Sequence, residues 1–279
     1  MRFLCLHGVG TNSKVRISSS ITCRKCNEPY CSHSGVHLGP RDTNRFDFPC
    51  VHQSKPSNKQ LSIICAAPLR YELGDDHTYD FVEGIFPYEL ASGRCPFRQL
   101  CHGNLSDSLL EIKDLVPSTD QGFSYFDPES ASASLRAVED LESFIAREGP
   151  YDGVLAFSQG MMLACTLLMR NVEQNKPLPF KCAIFFSPRM APLDYDDLCR
   201  GVFTEIDASK ISQAIGIPTT LVWGSMDPNS TKAIELQELF QREILSTYVH
   251  DGGHEIPGYA LKKGLLDTVN VIRRTTGQL

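Results

Sequence analysis

The sequence predicts an α/β fold, a mostly parallel sheet with helices on both faces. Two observations carry this expectation. Short apolar runs of strand length recur through the chain, each followed by a helical pattern or a Gly-rich turn. Strands that alternate with helices pair in parallel beneath a helical cover. The 279 residues are 42% hydrophobic and 22% charged, a balance that permits a sizeable buried core.

The first run, Arg2-Phe3-Leu4-Cys5-Leu6, stops at His7-Gly8, as a buried parallel strand would. Residues 15–60 show neither the helical nor the strand period and are rich in Ser, Asn, Cys, His and Pro. Regular structure resumes at Pro68–Leu73, the end of a helix stopped by Gly74. Thr78–Val82 alternates like a strand, and residues 84–123 read mostly as loop. From Ser130 to Glu148, Leu135, Val138, Leu141 and Ile145 share one helical face, which Pro150 closes off. Gly153–Phe157 is a wholly apolar strand, and Met161–Met169 is apolar all round, as a buried helix is. Strands are expected at Cys182–Phe186, Thr219–Trp223 and Ser246–Val249. A helix over Glu235–Arg242 separates the last two, and another over Ala260–Arg274 closes the chain. The expected organisation is one domain over residues 1–279, interrupted by irregular insertions at about 15–65 and 92–110.

Charge and targeting signals narrow the function. A net charge of −6 and an isoelectric point near 5.8 favour neither a nucleic acid nor an anionic membrane as partner. No run approaches the roughly 18 to 20 apolar residues of a membrane span, and the N-terminal run is too short for a signal peptide. The terminal Gly277-Gln278-Leu279 is not a peroxisomal address. The expected location is cytoplasmic, where the 11 cysteines, an odd number, do not read as a disulfide framework. Cys5, Cys165, Cys182 and Cys199 fall in strand or helix patterns and are expected to be small buried hydrophobes.

The sharpest local feature is Val154-Leu155-Ala156-Phe157-Ser158-Gln159-Gly160, followed by a helical run. A strand that turns abruptly into a helix through small-x-Ser-x-Gly is a nucleophile elbow. The turn lifts the serine hydroxyl above the sheet and requires small residues two before and two after it. Gly160 fits; Ala156 departs from the usual glycine by one methyl. After Thr219–Trp223 comes Gly224-Ser225-Met226-Asp227-Pro228, an acid at a strand's C-terminal end. After Thr247-Tyr248-Val249 comes His250-Asp251-Gly252-Gly253-His254, a histidine on a glycine loop at the same sheet edge. The order Ser158, Asp227, His254 is that of the α/β-hydrolases. His250 competes with His254 but lies nearer its strand. The bland readings are a helix-starting serine, a capping aspartate and a loop histidine; the three together in this order favour a triad. His7-Gly8-Val9-Gly10 ends the first strand, so the Val9 and Gln159 backbone N–H groups are the candidate oxyanion hole. His7 reads as structural.

With these stand further motifs: Asp80-Phe81-Val82-Glu83-Gly84, Tyr125-Phe126-Asp127-Pro128, Tyr151-Asp152-Gly153-Val154 and Gly252-Gly253-His254-Glu255-Ile256-Pro257. With Phe3–Gly8, Gly10-Thr11-Asn12 and Phe157–Gly160 they resemble the fungal serine hydrolase (FSH1-type) family, over most of residues 1–14 and 66–270. The resemblance implies a compact α/β-hydrolase that cleaves acyl esters or thioesters, with Ser158, Asp227 and His254 as triad. It also implies work beside a polyketide synthase in secondary metabolism, with an acyl carrier or the synthase as partner. The chemistry requires no metal and no organic cofactor, because a serine, a base and two amides suffice. The alternative is a catalytically impaired scaffold that binds acyl compounds or a synthase.

The first insertion has two readings. Cys23, Cys26, Cys31, His33, His37, Cys50 and His52 could supply a zinc module, but only Cys23-x-x-Cys26 has clean spacing. The favoured reading is an irregular extension, for which non-coding sequence carried into the reading frame is one candidate origin. Met161 and Met162 read as core, Asp194, Asp196 and Asp197 as a solvated turn, and Glu83 as a loop anchor or substrate contact.

Overall fold

The computed structural model describes residues 1–9, 63–88, 122–127 and 130–279. In chain order its elements begin with β1 (Arg2–Leu6), α1 (Ile63–Leu73), β2 (Thr78–Val82), β3 (Phe86–Tyr88) and β4 (Gly122–Ser124). They continue with α2 (Ala131–Glu148), β5 (Gly153–Phe157), α3 (Gln159–Glu173), β6 (Cys182–Phe186) and α4 (Tyr195–Cys199). β7 (Thr219–Gly224), α5 (Ser230–Glu235), β8 (Leu245–His250) and α6 (Lys262–Thr276) complete the described set. Six strands form one sheet in the order β2-β1-β5-β6-β7-β8, parallel at every junction. The chain passes from β1 outward to β2, then returns to β5 on the other side of β1. That reversal makes a crevice at the C-terminal ends of β1 and β5, where open α/β sheets bind their ligands.

The period of two along each strand decides which layer a side chain joins. Leu4, Leu6, Val154, Ala156, Ala183, Phe185, Leu221 and Trp223 face one core with α2 and α3. Phe3, Cys5, Leu155, Cys182, Ile184, Phe186 and Val222 face the other, under α1 and α6. Burial on both faces explains why these strands read as continuous apolar runs. α3 is buried along almost its whole length, Met161 and Met162 included, because it lies against the middle of the sheet. Ser130 caps α2 by accepting the Ala133 N–H, and Ala137, Val138 and Leu141 form its buried face.

Several expectations need correction. α1 begins at Ile63, ahead of the Pro68–Leu73 stretch where the sequence pattern has regular structure resume. At the two ends of the expected loop over 84–123, β3 and β4 pair antiparallel with Phe86 opposite Ser124, and residues 89–121 lie outside the described residues. No helix spans Glu235–Arg242. α5 ends at Glu235, and a single 3-10 turn covers Leu236–Leu239. Phe240 is then extended: it bridges Ile215, its ring packs on Phe185 at 5.9 Å, and the Gln241 N–H donates to the Ile215 carbonyl. Tertiary pairing overrides local helical pattern there. Cys5, Cys165 and Cys182 are buried as expected, whereas Cys199 at the end of α4 is exposed. Asp194 caps α4 and Asp197 pairs with Arg200, a turn whose acids are used locally. The candidate zinc ligands from Cys23 to His52 and the shorter insertion at 92–110 lie outside the described residues. Among the described residues no helix is long and apolar enough to cross a membrane.

Candidate active site

Ser158 joins β5 to α3 with φ 54° and ψ −114°, a conformation that non-glycine residues rarely adopt and that stores about 1–3 kcal/mol of strain. Its neighbours hold it there. The Ser158 N–H donates to the Phe186 carbonyl at 3.0 Å, and the Gly160 N–H donates to the His7 carbonyl at 3.0 Å. A Cβ on Gly160 would stand 2.7 Å from the carbonyl oxygens of Leu6 and His7, so only glycine lets α3 start against β1. The methyl of Ala156 is wholly buried in the core, so the departure from a second glycine is accommodated.

Two loops, after β7 and β8, bring a carboxylate and an imidazole to this serine. After β7 the chain turns through Gly224–Asp227, and after β8 it turns through His250–His254. Backbone bonds join the turns: the Ser225 N–H donates to His250 O at 2.7 Å and the Met226 N–H to Gly252 O at 3.0 Å. The turns touch so closely that a Cβ on Gly224 would lie 2.1 Å from Gly252 O. On this base, Asp227 Oδ2 accepts from His254 Nδ1 at 2.8 Å, and His254 Nε2 accepts from the Ser158 hydroxyl at 3.0 Å. The carboxylate can only accept, so it assigns the histidine proton to Nδ1 and leaves Nε2 as an acceptor. Asp227 Oδ1 takes the Asn229 N–H at 2.8 Å and its side-chain amide at 3.2 Å. Burial pushes the Asp227 carboxyl up, but the His254 bond and charge with the Asn229 donors outweigh it and hold it below its usual range. The Phe157 ring lies 5.1 Å from the His254 ring and closes its other side.

The structure therefore brings Ser158, Asp227 and His254 into one hydrogen-bonded line. His250 is not part of it: it is buried at the end of β8, where its Nδ1 accepts the Gly252 N–H at 3.0 Å and shapes the loop. Gln159 is the first residue of α3, and Val9 is half-buried in the turn after β1. A Cβ on Gly8 would come 3.2 Å from Ser158 Cβ, so that turn lies directly beside the serine. Among the described residues no cluster of three His, Cys, Asp or Glu side chains could hold a metal ion.

Some of the site's framework has no local signal in the sequence. Asn229 supports Asp227, and Tyr125 and Gln159 tie the segment after β4 to the elbow. The Tyr125 N–H donates to Gln159 Oε1 at 2.9 Å, and Gln159 Nε2 donates to Phe126 O at 3.2 Å. The Tyr125 hydroxyl accepts the His7 N–H at 2.8 Å and donates to Val82 O at 2.7 Å. Burial keeps this phenol well above its usual range, so it retains the proton it donates. The motif Tyr125-Phe126-Asp127-Pro128 marks this segment in the sequence only as part of the family resemblance, without a role for its residues.

A parallel sheet of this order, with a strained serine between β5 and the helix that follows it, defines an α/β-hydrolase. Comparison with known sequences gives the family. The family model described as serine hydrolase (FSH1) matches residues 69–264, and the chain belongs to that family. Esterase FPY3 of Fusarium mangiferae is 32% identical over 215 residues, covering 75% of this chain and 87% of that one. Hydrolase FUB4 of Fusarium oxysporum f. sp. lycopersici is 27% identical over 247 residues, covering 69% of this chain and 85% of its own.

Proposed function

We propose that the protein is a serine esterase or thioesterase that works through Ser158, His254 and Asp227. The observation that carries this reading is the continuous line from Ser158 Oγ through His254 to Asp227, with contacts of 3.0 and 2.8 Å. Nε2 takes the Ser158 proton as Oγ attacks the acyl carbonyl, and Asp227 steadies the imidazolium that forms. The Val9 and Gln159 N–H groups receive the charge on the carbonyl oxygen, helped by the positive end of α3. Nε2–H then protonates the leaving alcohol or thiol. Water attacks the acyl-enzyme by the same route in reverse, and the carboxylic acid leaves. The relatives named as an esterase and a hydrolase support acyl-ester chemistry. The resemblance seen in the sequence extends the proposal to acyl groups made by a polyketide synthase, delivered free or on a carrier.

A fluorophosphonate probe tests the reaction class: mass spectrometry should find the adduct on the Ser158 peptide of folded protein. Absence of that adduct would sink the reading in favour of a binding scaffold. Parallel assays with p-nitrophenyl esters and acyl thioesters then distinguish the oxygen from the sulfur leaving group.

A further inference from the structure

His7 has a polar partner for every polar atom it carries. Its backbone N–H goes to the Tyr125 hydroxyl at 2.8 Å, and its carbonyl takes the Gly160 N–H at 3.0 Å. Its ring Nδ1 lies 2.6 Å from the Gly8 carbonyl, and its Nε2 accepts the Gly84 N–H at 2.9 Å. A carbonyl can only accept and an amide N–H can only donate, so both ring contacts require the neutral Nδ1–H tautomer. Burial lowers the ring's pKa, outweighing the Gly8 bond and the Glu83 charge, which favour the cation. The Tyr125 ring stacks on the imidazole at 4.6 Å and fixes its plane. So much anchoring for one side chain is more than a strand end needs.

The bond to Gly8 has a geometric consequence. The Gly8 carbonyl and the Val9 N–H belong to one planar trans peptide and point in opposite directions. Whatever holds the carbonyl therefore aims the amide. We propose that His7 is a positioning residue of the oxyanion hole: its Nδ1–H holds Gly8 O back and so presents the Val9 N–H on the Ser158 side. The inference rests on the serine-hydrolase reading and adds to it a residue that touches neither substrate nor reacting atoms. Because the donor is set before substrate arrives, no reorganisation is needed as charge develops.

Two substitutions separate the ring's two bonds. In His7→Asn the side-chain amide keeps a donor close to where Nδ1 stands, whereas His7→Gln keeps an acceptor close to Nε2 and loses the donor to Gly8. With a p-nitrophenyl ester, H7Q should lower kcat about 100-fold with KM little changed, and slow fluorophosphonate labelling in step. H7N should recover kcat to within about tenfold of wild type. Leu141→Ala, in the core face of α2, serves as a control matched for lost stability and should keep wild-type kcat. Equal kcat for H7Q and wild type would overturn the inference, as would equal losses in H7N and H7Q. A second measurement needs no variant: nitrogen correlation spectra of isotope-labelled wild type at neutral pH should show His7 protonated at Nδ1 alone. A proton on Nε2 would overturn the inference even if H7Q failed to fold. Failure of the underlying reading looks different, because wild type itself would then resist the probe, and the inference would fall with it.

Discussion

Two histidines flank Ser158, and their surroundings are opposite. On the β7–β8 side, His254 stands on a glycine loop with its side chain 16% exposed, between a carboxylate and a hydroxyl. On the β1 side, His7 is buried, stacked and bonded at both ring nitrogens to backbone. The first arrangement suits a group that gains and loses a proton in every cycle. Solvent reaches it, and Asp227 welcomes the charge. The second suits a group that must never change state, since protonation of His7 would set an N–H against the Gly84 N–H. The same residue type thus serves as proposed proton carrier on one side and as fixed brace on the other, and burial and partners decide which.

The largest effects should come from breaking the proton-carrying side. Ser158→Ala and His254→Ala should each lower kcat by about six orders of magnitude, and Asp227→Asn by about four, with denaturation midpoints little changed. Steady-state hydrolysis of a p-nitrophenyl ester checks all three. Gly224→Ala should come next. Its Cβ would lie 2.1 Å from one backbone oxygen and 2.3 Å from another, so the Asp227 and His254 turns must part. About 3 kcal/mol of stability should go in chemical denaturation, and kcat should fall about 100-fold through misplacement of the base.

The contrast between the flanks also explains what could be read from sequence. β5 to β7 are buried on both faces, and the elbow, acid and histidine sit at strand ends in a distinctive order, so this flank was legible almost residue by residue. The brace was not. Its bonds join His7 to Gly84, Tyr125 and Gly160, and Tyr125 to Gln159, across 34 to 153 residues of chain. Hydrogen bonds between polar groups that distant leave no periodic trace. The pairing of β3 with β4 was missed for the same reason, since its two three-residue strands are separated by 33 positions, 89 to 121. The helix expected over Glu235–Arg242 failed because a local period cannot foresee that Ile215 draws Phe240 into a bridge.

A more modest loss is expected from loosening the brace at one atom. Tyr125→Phe keeps the ring that stacks on His7 but leaves the buried His7 N–H and the Val82 carbonyl without their shared hydroxyl. That should cost about 1–3 kcal/mol in a denaturation experiment. A loss near zero would mean that water replaces the hydroxyl and that the brace is less dry than its burial indicates.

The smallest effect is one of pH, and its sign distinguishes the flanks once more. Burial lowers His7 below its ordinary value near 6.5. Between the lowered value and about 6.5 the unfolded chain therefore binds more protons than the folded one, so stability falls as pH falls through that window. His250, buried beside the other flank, is lowered by burial in the same sense and adds to the slope. Asp227 acts elsewhere: its carboxyl is held below its ordinary 3.8, so its contribution is complete above that value and is lost only in stronger acid. Denaturation midpoints should therefore drop between pH 7.5 and 5.5 in wild type. They should drop less in His7→Asn, which has one fewer buried group to charge, and no less in Asp227→Asn. An equal drop in His7→Asn and wild type would mean that His7 is already charged in the folded state, contrary to its bond from Gly84.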